Sequence, residues 1–497
     1  MSHDFYQSLD QRLKEIHTLS SIGGLLGWDE QVNLPEDSQE ARATQSSLIA
    51  RLTHEAACSP DLGRDIKALE SNASPLAPDK KIVVRDARKE YDRATKLPSE
   101  FVERRSRLES EAYHAWANAR KTSNFSDFAP FLQKQVDTCK ELAGYLGWSD
   151  RPYDCLIDLH DPGMDASTIG TLFSGLKGEL APIVSEILES SIKPKTDIFK
   201  GFPVDQQELF LREVTESLGF NYKRGRIDKS LHPFCSGNGA DIRMTTRFDE
   251  DNPLDSLFSS IHETGHGMYE QGLPLDQLHT ALGQAAGMGA HESQSRLWEN
   301  QVCRSKAFWK RYEPKLRAAF PEQLANISSD DLYLAINSVS RNPIRVDSDE
   351  VTYNLHIIIR FEIEKALFDG TLAVKDLPEF WNEQYKTLLG ITPKNDAEGV
   401  LQDIHWSGGA FGYFPSYCLG NMLAAQLWYA ALDQIDGLED KIADGDFLAL
   451  LNWLRIKIHK QGKRYDLQEL SRQATGQDLS PTALIRYLKE RYLPLYT

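Results

Sequence analysis

The stretch that most restricts this chain is Ile261-His262-Glu263-Thr264-Gly265-His266. Its surroundings read as one helix, with Asn252 as cap, Pro253 at the first helical position, and Gly272 and Pro274 as the stop. Between them Leu254, Leu257, Phe258, Ile261 and Met268 recur at helical spacing. On such a helix His262 and His266 project from one face, one turn apart. Two imidazoles so placed can grip one zinc ion, and Glu263 beside them suits the general base that takes a proton from an attacking water. A catalytic zinc needs a third protein ligand and keeps one position open. Glu292, in Ala290-His291-Glu292-Ser293-Gln294-Ser295-Arg296, opens the next helix and fits a turn and return to the metal. His291 and Glu299 are its rivals, and periodicity does not separate them.

The charge balance narrows the partners. With 56 Lys+Arg against 73 Asp+Glu the net charge is -17, and no basic stripe offsets it. That argues against nucleic acid and against anionic membrane surfaces. The opening Met1 to Gln7 has no basic segment leading into an apolar core, and the most apolar later run, near Met422 to Leu432, is broken by Gln426. Six cysteines are scattered without a C-x-x-C pair, as in a cytoplasmic protein with reduced thiols. Length alone would allow three or four domains, but no repeat, low-complexity tract or Gly/Ser linker divides the chain. It reads as a single domain over 1–497, mostly helical over 1–230, with the motif-bearing part over 231–497.

Helical periodicity dominates: Phe5 to Leu26, Asp37 to Ala57, Pro98 to Lys121, Phe125 to Gly147, Ala290 to Tyr312, Asp349 to Leu367 and Pro415 to Ile435 all carry it. The clearest strand is Asp241-Ile242-Arg243-Met244-Thr245, whose period of two puts Asp241, Arg243 and Thr245 on one face. That polar face is available to the metal helix, to a substrate or to solvent, and Asp241 could orient a zinc-bound histidine. The expected fold is mainly α, with a small antiparallel sheet beside the site.

Further candidates lie in loops. His232, in His232-Pro233-Phe234, reads by itself as a core histidine. Arg345, in Asn342-Pro343-Ile344-Arg345, is a solvated charge or, in a peptide-binding cleft, a bidentate partner for a carboxylate; Arg243 is the second choice for that task. The polar, aromatic and Gly-rich run from Gln402 to Tyr413 offers His405 and Tyr413, and Tyr417 follows, as donors to an oxyanion.

Six segments occur in order: His232-Pro233-Phe234, Asp241-Ile242-Arg243-Met244-Thr245, His262 to His266, His291-Glu292-Ser293-Gln294, Ile344-Arg345-Val346-Asp347-Ser348-Asp349, and Gly399-Val400-Leu401-Gln402-Asp403-Ile404-His405-Trp406. Together with Gly27-Trp28-Asp29-Glu30 to Leu34-Pro35, the chain resembles the carboxypeptidase Taq family of zinc metallocarboxypeptidases. Its departures are Leu34, Ser348, Gly287 and Ala290, none at a chemical group. The resemblance implies a helical, saddle-like, deeply grooved metallopeptidase subunit, usually a homodimer. It implies one Zn2+ per subunit, replaceable by Co2+, held by His262, His266 and Glu292, with Glu263 as acid and base. The implied activity removes single residues from peptides with a free C-terminus, with broad tolerance and proline disfavoured. An oligopeptidase cutting internal bonds and a non-catalytic peptide-binding scaffold are the competing readings.

Overall fold

The computed structural model describes residues 4–71, 76–230 and 232–497, so the first three residues of the opening stretch lie outside it. The described residues are overwhelmingly helical. The chain begins with α1 (Phe5–Val32), α2 (Gln39–Ala57), α3 (Pro60–Glu70) and α4 (Pro78–Lys96). Of these, α1, α3 and α4 share a small core of Leu9, Leu62, Ile66, Leu69, Val83, Val84 and Ala87, which Leu282 joins from the rest of the chain. In α1 only Leu9 and Trp28 are buried, and in α2 only Arg42. The main apolar core draws on residues from Phe101 to Tyr496. The helices Tyr353–Asp369 and Phe414–Gln434 pass through it and are buried almost all round, as their apolar sequences require.

The small sheet contains β1 (Gly225–Lys229), β2 (Phe234–Asn238) and β3 (Asp241–Thr246), in the order β1-β3-β2. The expected antiparallel pairing holds for β2 and β3, which a tight turn joins, whereas β1 lies parallel to β3 on its other side. The sheet is therefore mixed. The sequence Gly225-Arg226-Ile227-Asp228-Lys229 is short and charged, so it carries little strand signal of its own.

The two faces of β3 do the opposite of one expectation. Its apolar residues, not its polar ones, meet the helix Pro253–Gly272: a Cβ on Gly267 would lie 3.1 Å from Met244 Sδ and 3.2 Å from Ile242 Cγ2. The polar face turns to α1. Arg226 and Arg243 are partners in the parallel ladder, and their guanidinium carbons lie 5.1 and 4.4 Å from the Trp28 ring. Arg243 is further tied to Asp241 at 3.0 Å. Stacked cations of this kind fix the C-terminal end of α1 on the sheet.

The expected helix from Ala290 to Tyr312 is broken. Met288–Arg296 is α-helical, Leu297–Val302 forms a π turn, and a new helix starts at Lys306 behind Ser305, whose hydroxyl accepts from Phe308 N. Inserted π turns cluster at functional sites, and this one carries Glu299.

Candidate metal centre

The motif helix spans Pro253–Gly272 and opens on Pro253 as expected, but Asn252 makes no side-chain cap; its carbonyl accepts from Asp255 N at 3.2 Å. Gly265, inside the motif, decides how closely Met288–Arg296 can approach. A Cβ there would stand 2.5 Å from Ser295 Cα and 2.6 Å from Gln294 O, so the two backbones touch only because the side chain is absent. From the other side Gly420 leaves room for Glu292, whose Cβ and Cγ would lie 2.6 and 2.7 Å from an added Cβ. Glu292 is thereby wedged between two helices and buried.

Three ligand atoms converge. His262 Nε2 and His266 Nε2 each lie 3.5 Å from Glu292 Oε2, and one atom from each of the three residues falls within 4.8 Å of the others. The remaining groups hold these side chains from behind. His262 Nδ1 meets Glu299 Oε2 at 2.8 Å, and His266 Nδ1 meets His291 Nδ1 at 2.5 Å. Glu292 Oε1 accepts Arg296 Nε at 2.7 Å, and Ser295 Oγ donates to Oε2 at 3.0 Å. The rivals Glu299 and His291 thus stand behind the two motif histidines. Asp241 does not: it is exposed and paired with Arg243. With both Nδ1 atoms engaged from behind, two imidazole nitrogens and a carboxylate oxygen face one point, a donor set that suits zinc or cobalt. Glu263 is buried beside them, and burial lifts its carboxyl to about 7.

A second polar cluster surrounds Arg345, which is no solvated loop charge. It starts the short turn Arg345–Asp347 and is only 5% exposed. Its Nε and Nη2 reach Asp403 Oδ1 at 2.9 and 2.8 Å, and Nη1 donates to Tyr353 Oη at 3.1 Å. The fully buried Arg360 holds the other oxygen of Asp403 at 2.6–2.7 Å. Gln402 accepts from Arg345 N and Arg360 Nη2 and donates to Pro343 O, locking both loops together. Burial alone would raise the Asp403 carboxyl, but Arg345 and Arg360 hold it well below the usual carboxylate range. Two guanidinium groups against one carboxylate leave a positive surplus. Tyr417 packs on it, its ring 5.2 Å from the Arg345 guanidinium carbon, and His405 Nε2 lies 3.3 Å from Tyr417 Oη. Burial pushes His405 down to about 4 and Tyr413 up to about 12, so near neutral pH the first is an uncharged ring and the second an intact hydroxyl.

The profile of the carboxypeptidase Taq (M32) metallopeptidases matches residues 8–492. The chain belongs to that family. It is 40% identical to thermostable carboxypeptidase 1 of Thermus thermophilus and 39% identical to carboxypeptidase 1 of Bacillus subtilis, covering 99% of both chains in each case. The crystal structure of an M32 carboxypeptidase from Deinococcus radiodurans superposes with a TM-score of 0.96 at 40% identity, over 99% of this chain and all of that one. The chain is therefore a metallocarboxypeptidase.

Several residues of the six sequence segments build the scaffold. Trp406 Nε1 donates to Glu364 at 2.7 Å, away from the metal centre. Asp349 accepts from Val351 N, Thr352 N and Ser340 N at 2.9–3.0 Å and so shapes the turn before the next helix. Gln294 Oε1 meets His459 Nε2 at 3.0 Å. Thr245 is buried and accepts from Phe234 N and Ser230 Oγ. His232 is exposed rather than a core histidine, and its carbonyl accepts from Ser230 and Thr245. Arg296, Tyr353 and Arg360 join these clusters without a motif of their own to announce them. The helical offset of Arg296 from Glu292 was the one available signal.

Proposed function

We propose that this M32 enzyme removes single residues from the free C-terminus of peptides, with broad side-chain tolerance and proline disfavoured. His262, His266 and Glu292 would hold a zinc ion, with cobalt as the alternative. Such an ion, when bound, polarises the scissile carbonyl and makes a water acidic enough to lose its proton near neutral pH. Glu263 takes that proton and returns it to the leaving amine; its burial among other acids favours a carboxyl that both accepts and releases a proton. Tyr413, Tyr417 and His405 are the donors available to the developing oxyanion.

The observation that carries the exopeptidase reading is the positive surplus at Arg345. Its bonds to Asp403 and Tyr353 occupy three of its five N–H groups, so two donors remain for a substrate carboxylate. Arg243 is withdrawn from that task, because Asp241 and Trp28 already engage it. The enzyme would act as a homodimer in the cytoplasm with one zinc per subunit, each chain a single peptidase unit. Six unpaired cysteines support that compartment, and no helix among the described residues is long and apolar enough to cross a membrane. A mass-spectrometric time course on a mixed peptide set tests the reaction. C-terminal ladders support it, whereas internal fragments point to an oligopeptidase and an unchanged mixture to a binding scaffold.

A further inference from the structure

The two motif histidines are held from behind in different ways. His262 Nδ1 meets a carboxylate directly, that of Glu299. His266 Nδ1 instead meets a third imidazole, His291, whose Nε2 lies 3.0 Å from Glu270 Oε1. His266 and Glu270 stand one turn apart on the motif helix, and His291 bridges them from Met288–Arg296. Both outer partners are largely shielded, with His291 19% and Glu270 18% exposed.

Hydrogen-bond logic then allows one arrangement of protons for neutral rings. A carboxylate only accepts, so the hydrogen between His291 and Glu270 sits on His291 Nε2. A neutral imidazole carries one hydrogen, so His291 Nδ1 is bare and must accept. His266 Nδ1 therefore donates, and His266 Nε2 is left with a free lone pair aimed at Glu292 Oε2, 3.5 Å away. The opposite tautomer would place a hydrogen on His266 Nε2, where it would block a cation.

We propose that Glu270 and His291 form a relay that sets the tautomer of His266 and so tunes the affinity of the site for its ion. The relay rests on the metal reading above. Glu270 and His291 are positioning residues, which act through His266. His291 thus has a duty of its own behind a ligand.

The test is zinc affinity, read by chelator competition on the full chain at one pH, with the thermal midpoint of the metal-free protein measured alongside. Glu270→Leu removes the acceptor and should weaken zinc 10- to 100-fold, the usual effect of losing a partner behind a ligand. His291→Phe should do the same. Glu270→Gln should bind nearly as wild type, because its amide oxygen can accept. His291→Gln should recover most of the affinity, since its carboxamide can accept from His266 and donate to Glu270. If Glu270→Leu does not fold, the contrast between His291→Phe and His291→Gln carries the same decision. A lowered metal-free midpoint with unchanged zinc affinity in Glu270→Leu and His291→Phe would overturn the relay and leave a structural role. Wild type that takes up no zinc, or Glu292→Ala that binds as wild type does, would overturn the metal reading and the relay with it.

Discussion

Replacing Arg345 by methionine separates recognition from folding, because the structure allows the two costs to be sized apart. Asp403 keeps Arg360 on one oxygen at 2.6–2.7 Å, so the buried carboxylate is not left without a counter-charge. What it loses is the donors to Oδ1, and Tyr353 loses a partner at 3.1 Å. An unsatisfied buried acceptor costs about 1–3 kcal/mol, which a metal-loaded enzyme of this size should survive. Recognition loses more. A substrate carboxylate brought to this spot without its cation forfeits on the order of 2–5 kcal/mol. At about 1.4 kcal/mol per decade that is a fall in kcat/KM of about 30- to several-thousand-fold. The assay compares one blocked dipeptide as free acid and as C-terminal amide, for wild type and Arg345→Met, with zinc content measured for both. Wild type should cleave the acid only, and the variant should lose most of that preference. A variant that still favours the acid as strongly as wild type does would show that Arg345 is not the carboxylate anchor.

Glu263→Gln keeps the side-chain shape but removes the proton acceptor. Turnover should fall about a hundred- to ten-thousand-fold with zinc content unchanged, and near-normal turnover in the loaded variant would remove Glu263 from the chemistry. Gly265→Ala forces a Cβ to within 2.5 Å of Ser295 Cα, so the helices must part; about 1–3 kcal/mol of stability should be lost, visible as a lower thermal midpoint, and an unchanged midpoint would contradict the close crossing. Glu364 is buried and accepts from Tyr153, Trp406 and Gly412 at 2.7–2.9 Å, yet burial raises it from 4.5 to about 7. The neutral form is the favoured one in the fold, so this group's contribution is complete below about pH 4.5 and is lost as pH rises through about 7. The loss is about 3 kcal/mol at most. Denaturant midpoints at pH 5 and 8 should therefore fall more steeply for wild type than for Glu364→Gln, and parallel slopes would contradict the shift.

The parts legible in sequence were those written locally. The motif helix declares itself through apolar spacing and Pro253, and Glu292 could be placed because it sits early in the next helix. The helical character of the chain and the antiparallel pair β2–β3 follow from periodicity and a short turn in the same way. What sequence could not show depends on contacts between distant segments. Asp403 draws Arg345 inward together with Arg360, so no local reading distinguishes this arginine from a solvated one. Asp241 has the right chemistry for a residue behind a ligand, but the apolar pair Ile242 and Met244 claims the helix-facing side of the strand and turns Asp241 away. Glu299 lies in a π turn that leaves no periodic signature, so nothing local in the sequence shows that it meets His262 Nδ1.

On this reading Glu292 completes the metal site while Glu299 only supports it. Metal analysis of purified Glu292→Ala and Glu299→Ala, each exchanged into excess zinc and then desalted, tests this directly. Two imidazoles alone leave the ion under-coordinated, so Glu292→Ala should come through nearly metal-free, whereas Glu299→Ala should stay close to one zinc per chain with at most a 10- to 100-fold weaker grip. Zinc retained by Glu292→Ala and lost from Glu299→Ala would contradict the assignment and move the third ligand to the π turn.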